Sequence, residues 1–461
     1  MRLKVQLVIC ADDGRTDTTH EVAVLEKDCQ RIEQLGLTLA EAKQLLTQLQ
    51  QHVVAYQASV FVTTRSHCKA CGTPLQLKEQ TTRVLRTLFG TVLLPSPRLY
   101  HCQCRTPMMT TFRPLTALLT ESTTPELLFM ETKWASLISY GMTARVLKDF
   151  LPLDKTLNAT TVHNHTLAVA QRCEEELGEN EEVMVDSCPG DGGPLSRPTG
   201  PLSVGLDGGY VRDWNQKQRH FEVIVGKAIA TAEPAKCFGF VQSYDPKSKQ
   251  RLRAVLQSQG VQDHQPLTFL SDGGETVRNL PGSLHPQSVH LLDWFHLAMR
   301  VIVLGQYLKG LVRLNREVGE GIQKKLESVK WLLWHGQVDN ALDRLGVLNL
   351  LIDHFADTYP RFSQLKKTVQ TFHTYIVNNR GFIPNYGERY RCGEIISTGF
   401  VESTVNYVLS KRFVKRQSMQ WTKRGAHLLL QTRVKTLNNE LPSTFRRWYP
   451  DFPLENTALA A

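Results

Sequence analysis

Between residues 204 and 296 the sequence alternates strand-like and helical segments in an order that few folds can accommodate. Three β-prone segments follow one another with short connections, then comes an amphipathic helix, and then two more short strands. The strands are 204–214, 219–230 and 236–245, the helix is "SKQRLRAVLQS", and the last strands lie in "PLTFLSDGG" and "SVHLLDWFH". Since consecutive strands usually pair and a helical crossover leads into a parallel strand, we expect three antiparallel strands and a fourth strand beside the first.

This order of elements is the core of the ribonuclease-H-like fold, and it brings two aspartates to one edge of the sheet. Asp207 lies in the middle of "GLDGGYV", and Asp272 ends "TFLSD". Two carboxylates held close together repel each other unless a cation lies between them, and Mg²⁺ prefers such oxygen ligands. The paired glycines after each acid would let a nucleic-acid backbone approach. The alternative is that Asp272 only ends its strand, because Ser, Asp and Gly are turn-forming residues.

A third carboxylate is predicted on a helix further along the chain. Residues 301–390 show amphipathic helices and no strand pattern, so we interpret them as an all-helical insertion into the α/β core. After it, "ISTGFVESTVNYVLSKRFVKRQSMQW" predicts a helix that Glu402 opens. A glutamate in a first helical turn is also stabilised by the helix dipole alone. Its position between a glycine-containing entry and a basic run favours a metal ligand.

The net charge of +10 is concentrated near the carboxyl terminus. Between Ser403 and Pro450, ten Lys and Arg residues stand against one acid, so this segment alone carries 10 − 1 = +9. Aromatic residues lie among these charges, a mixture suited to phosphate contacts and base stacking. The alternative is a solvated helix face. The predicted DNA contacts are Lys411, Arg412, Lys415, Arg416, Lys423 and Arg424.

Two close cysteine pairs flank a β-prone stretch in the amino-terminal part of the chain. They could supply four thiolates to a tetrahedral Zn²⁺ in a zinc ribbon. The ligands would be Cys68, Cys71, Cys102 and Cys104. The second pair is one residue shorter than the usual spacing, which leaves His67 or His101 as possible substitute ligands. Four reduced cysteines without a metal are the alternative.

The region 113–185 is predicted to be helical and to bind DNA. Its pattern breaks at Leu151-Pro152 and restarts near Asn158, as in a helix-turn-helix. Any antiparallel helical hairpin has the same pattern. The second helix carries His163, Asn164, His165 and Arg172.

The whole chain is predicted to be a multidomain α+β protein with seven parts. They are a strand and helix segment (1–62), the zinc ribbon (63–112), the helical DNA-binding region (113–185), a Gly- and Pro-rich linker (186–203), the first core part (204–300), the helical insertion (301–390) and the second core part with the Glu402 helix and the basic segment (391–461).

Composition places the chain among soluble globular proteins. Apolar residues make up 41% and charged residues 21%, and no segment approaches the roughly 20 consecutive apolar residues of a membrane span. The opening residues do not resemble a secretory signal. Ten cysteines in 461 residues are too few for a disulfide scaffold. We therefore expect a cytoplasmic protein that does not bind membranes.

Three motifs give the sequence a recognisable resemblance. "LSDGG", "LLDWFHLAMR" and "ISTGFVESTVNYVLSKRFVKRQSMQW" closely resemble the transposases of bacterial insertion sequences of the ISKra type, in the DDE superfamily that includes Mutator-like enzymes. The resemblance covers most of the chain and implies a ribonuclease-H-like catalytic domain with a helical insertion, Mg²⁺ dependence, and cutting and joining of double-stranded DNA. The family's catalytic acids fall on Asp207, Asp272 and Glu402. Its Asp-x-x-His motif falls on Asp293 and His296, which would support the site.

The mechanism that this resemblance implies is two-metal phosphoryl transfer. Asp207 would bridge two Mg²⁺ ions about 4 Å apart, Asp272 would hold one and Glu402 the other. Water as the nucleophile would cut a strand, and a DNA 3′-hydroxyl would join one. Because the reaction joins two element ends, we expect a homodimer associated with the bacterial nucleoid.

Three alternatives stay open at this point. Asp293 is the rival of Asp272 for the second metal ligand. The chain could instead be a catalytically inactive, domesticated relative that acts as a DNA-binding regulator. It could also be a nuclease of the same fold that never joins strands.

Overall fold

The computed structural model of the chain describes residues 1–10, 18–28, 30–104, 110–179, 202–230, 233–261, 267–274, 288–354, 362–414 and 420–453. The predicted linker 186–203 lies outside the described residues except for its last two positions, and so do Lys415 and Arg416. The chain mixes helices and strands and forms two compact units. One unit contains Met1–Ala170 and Asn439–Ala461, and the other contains Gln171–Asn438.

The amino-terminal unit begins with a β-ribbon, a long helix and a small antiparallel sheet. The elements are β1 (Arg2–Ile9), β2 (Thr18–Glu26), α1 (Leu39–Thr63), β3 (Leu77–Thr87), β4 (Gly90–Tyr100) and β5 (Thr111–Phe112). Helix α1 starts at a capping box in which Thr38 and Glu41 satisfy each other's backbone N–H groups. Its residue Ala58 packs against Leu85 and Leu94 of the sheet. The segments predicted as 1–62 and 63–112 are therefore parts of one unit.

Four helices follow in the predicted helical region: α2 (Pro114–Leu118), α3 (Pro125–Leu137), α4 (Tyr140–Phe150) and α5 (Ala159–Glu179). The prediction of helices here is confirmed. The structure differs from a helix-turn-helix motif in two respects. Residues 151–158 connect α4 to α5, a longer connection than the roughly 3–4-residue turn of that motif. His165 lies 2.6 Å from the carboxylate of the fully buried Glu131. The ring of His165 is therefore held against a buried carboxylate, unlike the exposed base-reading side chains of a recognition helix.

The second unit is built on a five-stranded sheet with one crossover helix. Its elements are β6 (Leu202–Arg212), β7 (His220–Ile229), β8 (Lys236–Val241), α6 (Ser248–Ser258), β9 (Leu267–Ser271) and β10 (Ser288–Leu292). The strand order is β10-β9-β6-β7-β8, in which β6, β7 and β8 are antiparallel and β6, β9 and β10 are parallel. The prediction that the fourth strand lies beside the first is confirmed. The last strand is shorter than predicted, because the helix after it already begins at Trp294.

The predicted insertion is helical throughout the part of 301–390 that the structure describes. Its helices are α7 (Trp294–Leu314), α8 (Arg316–Trp334), α9 (Val338–His354), α10 (Phe362–Asn378) and α11 (Tyr386–Arg391), and they share one apolar core. Among the described helices only one stretch, Trp294–Arg313, has the length and apolarity to cross a membrane. About 28% of that stretch is buried, and Leu304, Leu308 and Leu311 are its residues in the helical core.

A second helical segment covers the strand that carries Asp207. It consists of α12 (Gly399–Val405) and a π-helix (Asn406–Val414), and α13 (Lys423–Leu437) follows. A Cβ atom on Gly205 would collide with Val401, and one on Gly209 would collide with Leu409. Since alternate residues of a strand share a face, the segment lies over the same face as Asp207. These glycines are therefore required by the close approach of helix and strand.

The sequence pattern predicts a continuous α-helix where the structure has the π-helix. Arg433 of α13 explains part of this difference. Its guanidinium is buried and donates hydrogen bonds to the carbonyl oxygens of Tyr407 and Val408 inside the π-helix. Burial lowers the pKa of Arg433 to about 10. The arginine therefore supplies side-chain donors to two main-chain carbonyls of the π-helix.

The last helix, α14 (Leu441–Trp448), belongs to the amino-terminal unit. Its residue Phe445 is fully buried and packs edge to face against Phe129 of α3, with ring centroids 5.4 Å apart. Phe452 lies 5.3 Å from the same ring. The predicted part 391–461 therefore does not form one unit, because the described residues 439–453 belong with helices from the amino-terminal part of the chain.

Candidate active site

Two predicted metal ligands are carried by neighbouring parallel strands: Asp207 lies within β6, and Asp272 directly follows the last residue of β9. The pairing of β6 with β9 ends at Gly205 opposite Leu270. Asp207 comes two residues after Gly205, and Asp272 comes two residues after Leu270. Burial raises the pKa of Asp207, and the carboxylates of Asp272 and Asp293 raise it further. A hydrogen bond from the N–H of Gly208 and the charge of His296 lower it, but by less. The structure therefore brings the two acids together at the edge where the sequence predicted them.

The turn after Asp272 is built by the protein itself. Gly273 has a φ of +80°, and a Cβ atom there would lie 2.5 Å from Oδ1 of Asn379. The N–H of Gly274 donates to Oδ1 of Asp272 at 2.9 Å, and the hydroxyl of Tyr375 donates to its carbonyl oxygen at 2.8 Å. The prediction that Gly273 makes room for nucleic acid is wrong, because Asn379 fills that space.

Glu402 is exposed on α12, the helix that lies over β6 and β7. Among the described residues, the carboxylate oxygens of Asp207, Asp272 and Glu402 do not all lie within 4.8 Å of one another. The structure thus places Glu402 on the element that covers Asp207 without bringing all three acids into one cluster.

Asp293 is fully buried, and both of its carboxylate oxygens accept hydrogen bonds. Oδ1 caps α7 by accepting the N–H of Phe295 at 2.9 Å, and it also accepts the N–H of Thr398 at 2.8 Å. Oδ2 accepts the hydroxyl of Thr398 and lies 2.6 Å from Nδ1 of His296. Although burial alone would raise it, these hydrogen bonds lower the pKa of Asp293. Asp293 therefore positions His296 and the start of the Glu402 helix, and its oxygens are poorly placed to bind a metal.

His296 lies between this buried aspartate and the acid pair. The hydrogen bond with Asp293 raises the pKa of His296 against the effect of burial, and the charges of Asp207 and Asp272 raise it further. The imidazolium form is thus favoured next to the two acids.

Replacement of Asp293 by Ala is expected to destabilise the folded protein by about 1–3 kcal/mol, because it leaves the N–H and the hydroxyl of the buried Thr398 without an acceptor. The measurement is urea unfolding of the variant and the wild type at neutral pH. Asp343→Ala, on the exposed side of α9, is the control and should change the free energy of unfolding by less than about 0.5 kcal/mol. Equal unfolding midpoints for Asp293→Ala and Asp343→Ala would contradict the positioning role.

Sequence reasoning missed one further acid near the pair. Glu222 of β7 lies opposite Tyr210, and a Cβ atom on Gly208 would come within 2.8 Å of its Oε1 atom. Burial raises the pKa of Glu222, and the charges of Asp272 and Asp207 add to the effect. An acid inside the apolar run "FEVIV" was the signal that could have identified it.

A separate group of Glu174, Asp245 and His427 has the spacing of a metal site, but an arginine fills it. The guanidinium of Arg251 donates to Glu174 at 2.9 Å and to Asp245 at 3.0 Å. Burial opposes ionisation of Glu174, but hydrogen bonds from His427 and Arg251 lower its pKa to about 2. This group is therefore an interior ion-pair network.

The stability contributed by Glu174 should depend on pH. A pKa lowered from 4.5 to about 2 corresponds to about 3 kcal/mol of stability, present above pH 4.5 and lost as the pH falls toward 2. Glu174→Gln should therefore unfold more easily than the wild type in urea at pH 7, and the difference should shrink below pH 4.5. The exposed neighbour Glu175→Gln is the control and should show little difference at any pH. A Glu174→Gln difference that is independent of pH would contradict the prediction.

The four predicted cysteine ligands lie close together in the amino-terminal unit. Their sulfur atoms all lie within 4.8 Å of one another, with 3.5 Å between Cys68 and Cys104 and 3.5 Å between Cys71 and Cys102. Four thiolates about 2.3 Å from a Zn²⁺ would be roughly 3.8 Å apart. The ring of His101 packs on Phe112, with centroids 4.6 Å apart. The arrangement is compatible with a structural zinc site made of the cysteines alone.

The pKa values of these thiols also favour a bound cation. Hydrogen bonds from the side chain and backbone of Thr73 lower the pKa of Cys71 to about 6. The surrounding sulfurs of Cys102, Cys68 and Cys71 raise the pKa of Cys104 to about 12. All four sulfurs can ionise together only if a positive charge compensates their repulsion.

The predicted DNA-contacting residues differ in accessibility. Arg412 is fully buried, with its guanidinium 5.3 Å from the ring centroid of Trp421, so its prediction as a DNA contact is wrong. Lys411 and Arg424 are exposed and Lys423 is half-buried. Lys415 and Arg416 lie outside the described residues.

Comparison with known proteins adds no relative. No protein-family model matches the chain, and no curated protein matches it. The family suggested by the sequence motifs therefore stays a prediction, and the function has to be inferred from the arrangement of the acids.

Proposed function

We propose that the chain is a DDE transposase that cuts and joins the DNA of an insertion sequence in a Mg²⁺-dependent reaction. The observation that carries the proposal is the placement of Asp207 and Asp272 on adjacent parallel strands, under a helix that presents Glu402. In open sheets with parallel strands, sites commonly form at the carboxyl ends of those strands.

The strand order supports a ribonuclease-H-like core. Three antiparallel strands lead through α6 into two parallel strands, and the helices α7–α11 separate this sheet from the helix of Glu402 along the chain. This is the arrangement that the resemblance to DDE transposases implies. The amino-terminal unit would bind the element ends, with one structural Zn²⁺ held by the four cysteines.

The acid pair fits Mg²⁺ by the chemistry of its donors. Asp207 has a raised pKa because neighbouring carboxylates add to the effect of burial, so an added cation would relieve the repulsion. Asp207 and Asp272 would hold the metal, and Glu402 would complete the set. Bound Mg²⁺ would polarise the phosphoryl group and stabilise charge on the attacking and leaving oxygens.

The protein's own residues would prepare the site. Asp293 holds His296 beside the acid pair, where the imidazolium limits the net negative charge that an approaching phosphate meets. Tyr375 and Gly274 orient Asp272 before any substrate binds. The exposed Lys411 and Arg424 would contact DNA phosphates. A homodimer would place one such site at each element end.

The proposal is tested with the purified chain and a labelled duplex that carries the DNA flanking its coding region. We expect strand cleavage that needs Mg²⁺ and leaves a 3′-hydroxyl, followed by joining of that end to a target plasmid. Cleavage without joining would support the nuclease alternative. DNA binding without cleavage in Mg²⁺ would support the inactive regulator.

A further inference from the structure

We propose that a pocket at the far end of the β6–β7 hairpin binds a single unstacked nucleotide of DNA. The hairpin pocket is lined by Tyr210, Arg212, Trp214, Lys217 and His220, with Phe413 and Trp421 behind them. The inference rests on the proposed function only in taking DNA as the source of the nucleotide.

The pocket is preformed by a contact between the hairpin and Trp421, which in turn packs on Phe413 of the π-helix. The N–H of Trp214 donates to the carbonyl oxygen of Trp421 at 2.8 Å. Trp421 is buried, donates from Nε1 to the carbonyl oxygen of Phe413 at 3.2 Å, and lies against its ring at 4.7 Å. The cavity measures about 530 Å³, within the roughly 300–1,000 Å³ of ligand pockets.

The mouth of the hairpin pocket combines exposed aromatic rings with positive charge. Tyr210 is 65% exposed and Trp214 is 40% exposed, so both rings are open to a ligand at the mouth of the pocket. Nζ of Lys217 lies 4.6 Å from the ring centroid of Trp214. Nε of Arg212 donates to the carbonyl oxygen of Lys217 at 2.9 Å, which fixes its guanidinium beside them. Rings that stack on bases and cations that bind phosphates are the two parts of a site for single-stranded nucleic acid.

The one acid among the described lining residues does not oppose this assignment. Asp213 is 6% exposed, and its Oδ1 atom accepts the N–H of Asn215 at 2.9 Å. Its charge is therefore turned into the hairpin, whereas Arg212 and Lys217 are exposed. The surface that an incoming ligand meets is cationic, and it suits a phosphate-bearing ligand.

The position of the pocket suggests which nucleotide it would take. Tyr210 follows Asp207 by three residues on β6, which corresponds to about 10 Å along the strand. Tyr210 also lies opposite Glu222, the acid near the predicted metal ligands. Residues three apart on a strand point to opposite faces, so the bound base would lie across the sheet from the carboxylate of Asp207, about 10 Å away along β6, and it would be unstacked from its neighbours. A concave pocket of this size accepts one such base, whereas an intact duplex presents only its backbone and groove edges.

The test measures binding of a fluorescently labelled oligothymidylate to the full-length chain by anisotropy at fixed salt, without Mg²⁺. Trp214→Ala should weaken binding by about ten-fold or more, because each base stacked on an aromatic ring contributes substantially to affinity. Trp331→Ala is the matched control, since Trp331 is 57% exposed on α8 and has Lys330 beside it at 5.9 Å. It should leave the affinity unchanged. Lys217→Ala should reduce the slope of log affinity against log salt by about one, and Lys330→Ala should not.

Two results would overturn the proposal. The first is a Trp214→Ala affinity equal to that of Trp331→Ala. The second is a Trp214→Phe variant that binds as weakly as Trp214→Ala, although Trp214→Phe keeps an aromatic ring and has the same unfolding midpoint as the wild type. The proposed function can fail separately: Mg²⁺-dependent cleavage with no effect of Trp214→Ala on oligonucleotide binding rejects the hairpin pocket alone. Trp214-dependent binding without cleavage supports the pocket and rejects the transposase.

Discussion

Asp272→Asn is expected to reduce Mg²⁺-dependent DNA cleavage by several orders of magnitude and to leave DNA binding intact. The amide keeps the shape of the side chain and can still accept the N–H of Gly274. It cannot supply the negative charge that Mg²⁺ requires of its ligand. Affinity for DNA should stay the same or rise slightly, because a negative charge near bound phosphates has been removed.

The assay compares cleavage of a labelled end-bearing duplex with a binding titration on the same duplex at one salt concentration. Asp343→Asn, an exposed residue of α9, is the matched control and should cut normally. Asp207→Asn and Glu402→Gln should resemble Asp272→Asn, and double variants should be little worse than single ones, because residues that act as one unit are not additive. Glu402 is the critical case, since the three carboxylates do not form one cluster in the structure.

One result would change the assignment of the second ligand. If Asp272→Asn cuts normally while Asp293→Asn is inactive and remains as stable as the wild type, Asp293 carries the metal. The structure argues against this result, because both Asp293 oxygens already accept hydrogen bonds from Phe295, Thr398 and His296.

The second large effect is expected at the four cysteines. The wild-type chain should contain about one Zn²⁺, and Cys71→Ser combined with Cys102→Ser should lose it together with the fold of the surrounding hairpin. The reason is that the metal would hold together the two loops that carry the four thiolates, so its binding free energy would stabilise this part of the fold. Elemental analysis measures the zinc, and limited proteolysis with mass spectrometry locates the unfolded segment.

Cys392→Ser is the control for this double variant, because Cys392 is an exposed thiol outside the four-cysteine group. It should keep the zinc and the protease resistance of the wild type. About one zinc per chain remaining after the double change would contradict the assignment. A wild-type protein that folds normally without zinc would support four reduced thiols instead.

Several features could be predicted because they depend on residues close together in sequence. The strands around Asp207 and Asp272 have a local pattern of β-branched and apolar residues ended by turn formers. The crossover helix "SKQRLRAVLQS" has the bounds Ser248–Ser258 in the structure. The cysteine pairs have a spacing that restricts their chemistry. From these local patterns and the rules of strand connection, the neighbouring positions of the two acids follow without any tertiary information.

Other features were decided only by contacts between residues far apart in the chain. The same basic run contains the exposed Lys411 and the fully buried Arg412, and only the packing of Trp421 separates their roles. Asp293 resembles a metal ligand in sequence, but Thr398, 105 residues later, donates to both of its oxygens. A sequence pattern reports which residues prefer to be buried, but not which distant group they will meet. The free energy that decides such pairings comes from desolvation and hydrogen bonding within the folded chain.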